Sequence, residues 1–110
     1  MNTIGYAYYL RIKVKPEKRS NFVELILKLR DDALREIDGV VLFELLETKM
    51  PCEFVIMQGF TDRDAYRRYA NAPFHLEMAP HGLACVEGEP HIEALVPLGV
   101  GRMPASYQDG

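Results

Sequence analysis

The sequence predicts an α+β domain in which two helices cover one face of a four-stranded antiparallel sheet. The chain has 110 residues, of which 48% are apolar and 26% charged, so it holds one globular domain and no more. Strand-like and helix-like patterns follow one another in the order βαββαβ. Right-handed crossovers that leave room for an intervening strand turn this order into the ferredoxin-like arrangement.

The first third of the chain predicts a strand followed by a long helix. Residues 4–14 alternate with period two and place the large apolar side chains on one parity: Tyr6, Tyr8, Leu10, Ile12 and Val14. Pro16 and Glu17 suit the first turn of a helix. Apolar residues at helical spacing continue to residue 37, and Gly39 then provides a left-handed stop.

The middle of the chain predicts a hairpin and a second helix. Residues 40–48 and 54–60 are strand-like, and the short connection between them favours a hairpin. Thr61 and Asp64 have the spacing of a capping box, which would begin the second helix at Thr61. That helix should break before Pro73, because the residue before proline avoids the helical region. One or two further helical turns are expected up to about residue 83.

The end of the chain predicts one more strand and a tail. Gly88 and Pro90 introduce a strand over residues 91–96. We therefore assign residues 1–98 to the domain. Residues 99–110 contain three glycines and few apolar side chains, which predicts a tail that is either flexible or draped on a partner subunit.

Charge and motifs exclude several functions. The formal net charge is −3, whereas proteins that hold nucleic-acid phosphates are normally basic, so no nucleic-acid partner is expected. No apolar run approaches eighteen residues and no signal-peptide pattern occurs, so we expect no membrane association and a cytoplasmic location. The sequence lacks GxGxxG, P-loop and GxSxG motifs.

Cysteine and histidine spacing predicts neither a disulfide nor a metal site. Cys52 and Cys85 precede the two strands that flank the first strand, so we expect free thiols about 10 Å apart. The three histidines are separated by six and ten residues, which is not the i, i+4 spacing of a helical zinc site.

The second and third strands are apolar on both parities. Two helices can cover only one face of the sheet, and monomers rarely tolerate a large exposed apolar patch. We therefore expect the uncovered face to pack on a second copy of the chain, giving a homodimer.

The second helix presents two phenols toward the sheet. Tyr66 and Tyr69 lie on the helical face opposite Arg67 and Arg68, so their hydroxyls either line a cavity or reach backbone carbonyls. Gln58 has the inward parity of the third strand, where its amide either orients a ligand or bonds a neighbouring side chain.

Residues 58–75, with the sequence QGFTDRDAYRRYANAPFH, resemble the third strand and second helix of the antibiotic biosynthesis monooxygenase family. This family consists of dimeric α+β barrels and includes quinol monooxygenases. The resemblance extends through residues 14–17 and 38–40 and covers about residues 6–97. It implies a homodimer with a pocket between sheet and helices. It also implies monooxygenation of a small aromatic or quinol metabolite by O2, without a flavin or metal cofactor, because the substrate supplies the electrons.

The resemblance also implies site residues. Tyr66 matches the family's hydroxyl-bearing aromatic residue. Other positions depart from the family pattern: Gln58 replaces a carboxylate, Phe60 a tryptophan or tyrosine, Ile56 an asparagine of one branch, and Tyr69 and Phe74 two histidines, with His75 shifted by one. We expect catalytic roles for Tyr66, Tyr69 and His75, and substrate contacts from Gln58, Phe60, Ile56 and Phe74. His75 is the expected base, with an acidic limb of the pH–rate profile near pH ~6.5.

These departures leave other functions open. One alternative is a non-catalytic dimer on the same scaffold that binds a small molecule or is purely structural. Another is isomerase chemistry on a small metabolite, which for a phosphorylated substrate needs inward-facing Arg or Lys side chains. Haem degradation is a third, although no histidine lies where an axial ligand is expected.

Overall fold

The structure is a computed structural model that describes residues 3–98. Its elements are β1 Tyr6–Lys13, a 3-10 turn Pro16–Lys18, α1 Arg19–Glu36, β2 Val40–Glu47, β3 Glu53–Phe60, α2 Arg63–Ala70, α3 Pro73–Ala84 and β4 His91–Leu95. The predicted βαββαβ order is confirmed, with the second helical region divided into α2 and α3. The predicted tail, residues 99–110, lies outside the described residues.

The four strands form one sheet in the order β2-β3-β1-β4, and every neighbouring pair is antiparallel. This is the α+β ferredoxin-like fold that the sequence predicts. The helices cover one face of the sheet, where the core forms between the inward side chains of β1 and β3 and the apolar face of α1. Its largest fully buried side chains are Phe22, Phe60 and Val14.

Two helix starts differ from the sequence prediction. Pro16 begins a 3-10 turn, and the α-helix itself starts at Arg19. The N-cap of α2 is Asp62 and not Thr61, because the Asp62 carboxylate accepts a hydrogen bond of 2.8 Å from the amide of Ala65. Aspartate is among the best N-cap residues, so this single bond replaces the expected capping box.

The break between α2 and α3 occurs where the sequence predicts it, before Pro73. The helix that follows is longer than expected, since α3 has twelve residues and ends at Ala84. Gly39 has a φ of +98°, and a Cβ at this position would lie 2.7 Å from that of Ala65. The left-handed stop after α1 therefore also brings the chain close to α2.

The two cysteines lie on opposite sides of the end of β1. The amide of Val14 donates to the carbonyl of Cys52, and the amide of Lys15 donates to the carbonyl of Cys85. Both thiols are free. The predicted flanking positions are confirmed.

The uncovered face of the sheet mixes apolar and charged side chains. Leu46 is 47% exposed there and pairs with Val55, while Met57 pairs with Tyr9. Arg11 and Glu44 share this face, which is less uniformly apolar than the sequence pattern predicts. None of the helices within residues 3–98 combines the length and hydrophobicity needed to cross a bilayer.

Candidate functional site

A cavity of about 320 Å³ lies between the sheet and the helices. Its floor comes from inward residues of β1 and β3, and its roof comes from α2, α3 and α1. Five of the predicted site residues line it: Ile56, Gln58, Tyr66, Tyr69 and His75. The volume falls at the lower end of the range for small-molecule sites.

Gln58 and Tyr69 form a buried polar pair at one end of this cavity. The side-chain amide of Gln58 donates a hydrogen bond of 3.0 Å to the hydroxyl oxygen of Tyr69. A phenol has one donor and two acceptor sites, so the O–H of Tyr69 remains available to donate into the cavity. Burial raises the pKa of Tyr69 well above its ordinary value, which keeps this hydroxyl protonated.

His75 lies against Tyr69 at the start of α3. The two ring centroids are 4.7 Å apart. Nδ1 of His75 is enclosed and has no hydrogen-bond partner among residues 3–98. Burial lowers the pKa of His75 below its ordinary value, and the nearby Ala70 carbonyl opposes this shift. The imidazole is therefore neutral at pH 7, and an acidic limb that it causes falls below the pH of ~6.5 expected from the sequence.

Tyr66 belongs to a cluster of aromatic rings at the same end of the cavity. Its ring centroid is 4.6 Å from that of Tyr8 and 5.3 Å from that of Tyr6. The hydroxyl of Tyr6 donates to that of Tyr8 over 3.2 Å. The Tyr66 hydroxyl makes no hydrogen bond with another residue of the 3–98 range, so it is a phenolic donor without a protein partner.

Two predicted substrate-contacting residues lie outside the cavity. Phe60 is completely buried behind the phenols, with its ring 5.4 Å from Tyr66 and 5.6 Å from Tyr69. Its side chain supports the two rings from the core and does not reach the space between them. Phe74 points instead toward a surface hollow between α1 and α3. Neither Phe60 nor Phe74 therefore lines the cavity with the other predicted site residues, and their substrate contacts stay a prediction.

Sequence reasoning missed Tyr8. This residue lines the cavity and pairs directly with Gln58 in the β1–β3 register. Its inward parity is visible in the sequence, but the identity of the residue opposite it depends on the register of two strands with 39 residues (14–52) between them. Tyr8 could have been predicted to line the cavity from its inward position in β1, taken together with the inward position of Gln58 in β3.

The cavity is uncharged. No Lys, Arg, Asp or Glu among the described residues lines it. Arg67 and Arg68 are exposed on the opposite face of α2, as the sequence predicts. Within residues 3–98, no three His, Cys, Asp or Glu side chains are grouped so that they could hold a metal ion.

Two larger hollows, of about 440 and 490 Å³, lie elsewhere on the surface. One lies between α1 and the end of α3 and is bordered by Lys18, Glu24 and Lys28. The other surrounds Arg11 and Glu93 on the uncovered sheet face. Both are more open to solvent than the cavity between sheet and helices, and both have charged borders. The cavity between sheet and helices, which is less open and is lined by uncharged polar and apolar side chains, is therefore the better candidate site.

The fold and the cavity define a small ferredoxin-like protein with a pocket between its sheet and its helices. The sequence matches the family model of the antibiotic biosynthesis monooxygenases over residues 6–80. The chain belongs to this family. No curated protein matches it by sequence.

Solved structures share the fold at low sequence identity. A candidate antibiotic biosynthesis monooxygenase from Caulobacter crescentus superposes with a TM-score of 0.83 at 17% identity, over 88% of this chain and 92% of its own. A Mycobacterium tuberculosis protein superposes with a TM-score of 0.80 at 21% identity, over 88% of this chain and 98% of its own. A candidate antibiotic biosynthesis monooxygenase from Nitrosomonas europaea superposes with a TM-score of 0.79 at 17% identity, over 86% of this chain and 99% of its own. At these identities the likeness concerns the fold alone.

Proposed function

We propose that the protein is a cofactor-independent monooxygenase that oxidises a small aromatic or quinol metabolite with O2. The observation that carries the proposal is that Tyr66, Tyr69 and a neutral His75 line one cavity that has no charged side chain among the described residues of its lining. A phenolate is much richer in electrons than a phenol and can pass an electron to O2. A site that stabilises this anion and excludes water supplies the main requirements of the reaction.

The residues divide the work of forming the phenolate. A phenol has a pKa of ~10, far above that of His75, so the proton moves to the imidazole only if the anion is stabilised. The O–H groups of Tyr66 and Tyr69 are the donors available for that oxyanion. His75 takes the proton, and the Gln58 amide holds Tyr69 in place.

The overall reaction balances without another reductant. One oxygen atom of O2 enters the ring at a carbon that loses its hydrogen, and the other leaves as water. Phenol and O2 thus give the para-quinone and water, and hydroquinone and O2 give the hydroxyquinone and water. The aromatic substrate supplies all four electrons.

Oxygen uptake with a panel of phenols and hydroquinones tests the proposal, together with mass spectrometry of products formed under ¹⁸O2. We expect one ¹⁸O atom per product molecule. The variant Tyr66→Phe/His75→Gln is the matched control for uncatalysed autoxidation. Uptake by the wild-type protein no faster than with this variant, across the panel, would contradict the proposal.

A non-catalytic small-molecule carrier on the same scaffold is the second candidate. The observation that favours it is the position of Phe60 and Phe74, which stand at commonly functional family positions and lie outside the cavity. Ligand binding without oxygen uptake would support this candidate. An isomerase of a phosphorylated metabolite is disfavoured, because no cationic side chain among residues 3–98 lines the cavity.

The proposal includes a homodimer formed through the uncovered face of the sheet. The exposed side chain of Leu46, together with Met57 and Tyr9 on the same face, supports this, since a second surface would exclude water from them. Light scattering at micromolar concentration should give twice the chain mass of 12.6 kDa. A particle of 12.6 kDa would contradict the dimer.

A cytoplasmic location is also part of the proposal and is supported by the two free thiols.

A further inference from the structure

The floor of the cavity consists of side-chain rows that cross neighbouring strands. The row beneath α2, here called the polar row, pairs Tyr8 of β1 with Gln58 of β3. The next row, here called the apolar row, pairs Leu10 with Ile56 and adds Ile92 from β4. Successive rows are two residues apart along the strand, which is about 7 Å.

The helices above the sheet also place polar side chains at one end of the cavity and apolar side chains at the other. Tyr66 and Tyr69 of α2, with His75 at the start of α3, lie above the polar row. Farther along α3, the cavity wall consists of Met78 and Gly82. All polar side chains of the described cavity lining are therefore at one end, and the remainder of the lining is apolar and uncharged.

The volume decides how much of the cavity a single ring can fill. A cavity of about 150 Å³ is enough to hold benzene. The present cavity, at about 320 Å³, has roughly twice that space. A hydroxylated ring held at the polar row leaves the volume above the apolar row empty, and a ligand group that fills it must be apolar, because no partner for a charge lies there.

We propose that the ligand of this site is an uncharged phenol or hydroquinone that carries an apolar substituent, with its hydroxyl at the polar row and the substituent over the apolar row. The inference rests on the proposed function in taking this cavity as the place where the aromatic substrate binds. It goes further by excluding phenols whose side chain bears a carboxylate or a phosphate close to the ring.

Binding under nitrogen tests this ligand class without any turnover. The probes are hydroquinone, hexylhydroquinone and 2,5-dihydroxyphenylacetate, and the measurement is titration calorimetry. Each buried methylene tightens binding about fourfold, so hexylhydroquinone should bind at least about thirtyfold more tightly than hydroquinone. The acetate should bind at least about tenfold more weakly than hydroquinone, since its carboxylate would lose water without gaining a partner.

A pair of exposed leucine and isoleucine positions gives matched variants. Ile92 lines the apolar row and is 55% exposed, so Ile92→Asp places a charge there without burying it in the core. Leu76 on α3 is 57% exposed and lies outside the cavity lining, so Leu76→Asp is the control. We expect Ile92→Asp to weaken the binding of hexylhydroquinone at least about tenfold and the binding of hydroquinone less than about twofold. Leu76→Asp should change neither.

The outcomes separate the ligand class from the proposed oxygenase. Hexylhydroquinone binding no more tightly than hydroquinone, or the acetate binding as tightly as hexylhydroquinone, would overturn the ligand class. If either of these results were found and the protein still took up oxygen with hydroquinone, the proposed oxygenase activity would be supported although the ligand class was wrong. Tight binding of hexylhydroquinone without oxygen uptake in air would support the ligand class and overturn the oxygenase.

Discussion

The imidazole ring of His75 packs against the phenol ring of Tyr69, although the two residues belong to different helices. The ring planes are tilted by 58°. In one continuous helix, six residues would separate the two side chains by about 240° around the axis, so they could not pack in this way. The break before Pro73 changes the direction of the helix and allows the contact. A proline outside the cavity thus determines which side chains meet inside it.

Replacement of Tyr66 by Phe should slow oxygen uptake with a hydroquinone by roughly ten- to a hundredfold, the usual cost of losing one oxyanion donor. The ring contacts with Tyr8 and Phe60 are retained in the variant, and the lost hydroxyl has no hydrogen-bond partner within residues 3–98. The free energy of unfolding in urea should therefore change by less than about 0.5 kcal/mol. Tyr6→Phe, outside the cavity lining, should leave the rate unchanged. A destabilised Tyr66→Phe protein with a normal rate would contradict the role in catalysis.

The pH dependence of kcat/KM should reflect the lowered pKa of His75. The neutral imidazole is the active form, so activity persists as the pH falls past 6.5 and is lost only on passing the depressed pKa. His75→Gln should remove this acidic limb and lower kcat/KM by about 10²- to 10⁴-fold. His81→Gln, at an exposed position of α3, is the control. An acidic limb that survives in His75→Gln would show that another group is the base.

Gln58 and Tyr69 should be coupled in a double-mutant cycle of unfolding free energies. Gln58→Leu leaves the buried Tyr69 hydroxyl without its donor, which should cost about 1–3 kcal/mol, and Tyr69→Phe leaves the Gln58 amide without its acceptor. In the double variant both groups are gone, so its cost should fall short of the sum by about 1 kcal/mol. Urea denaturation at one fixed protein concentration measures all four states. Strict additivity would mean that the hydrogen bond contributes nothing to stability.

The N-cap of α2 can be tested by paired aspartate variants. Asp62→Ala removes the bond to the Ala65 amide and should cost about 1 kcal/mol. Asp64→Ala removes only an exposed ion pair with Arg68, which is worth at most about 0.5 kcal/mol. Thermal or urea unfolding distinguishes the two. A larger effect at Asp64 would favour the capping box that begins at Thr61.

The fold could be predicted from local signals, because each of them acts over a few residues. Period-two alternation marked β1, and the glycine after Asp38 marked the end of α1. The arginines of α2 face solvent, so its phenols face the sheet, and this followed from the 100° step of a helix.

The site was only partly predictable, because it depends on long-range geometry. Tyr8 lies opposite Gln58 because of the register between β1 and β3. Phe74 and His75 differ by one helical step, and that step sends one side chain to a surface hollow and the other into the cavity. The lowered pKa of His75 arises from burial in the folded protein, so its type and position alone gave only the ordinary value.

Strand β4 is the wall of the cavity with the least support. Within residues 3–98 it lies at the edge of the sheet and pairs only with β1, and it contributes Ile92 to the apolar row. Edge elements with few contacts open locally at much lower free energy than the core does. We therefore expect the amide protons of β4 to exchange with solvent faster than those of β3, and to be slowed by a bound ligand. Such opening would link the rate of ligand release to the stability of a single short strand.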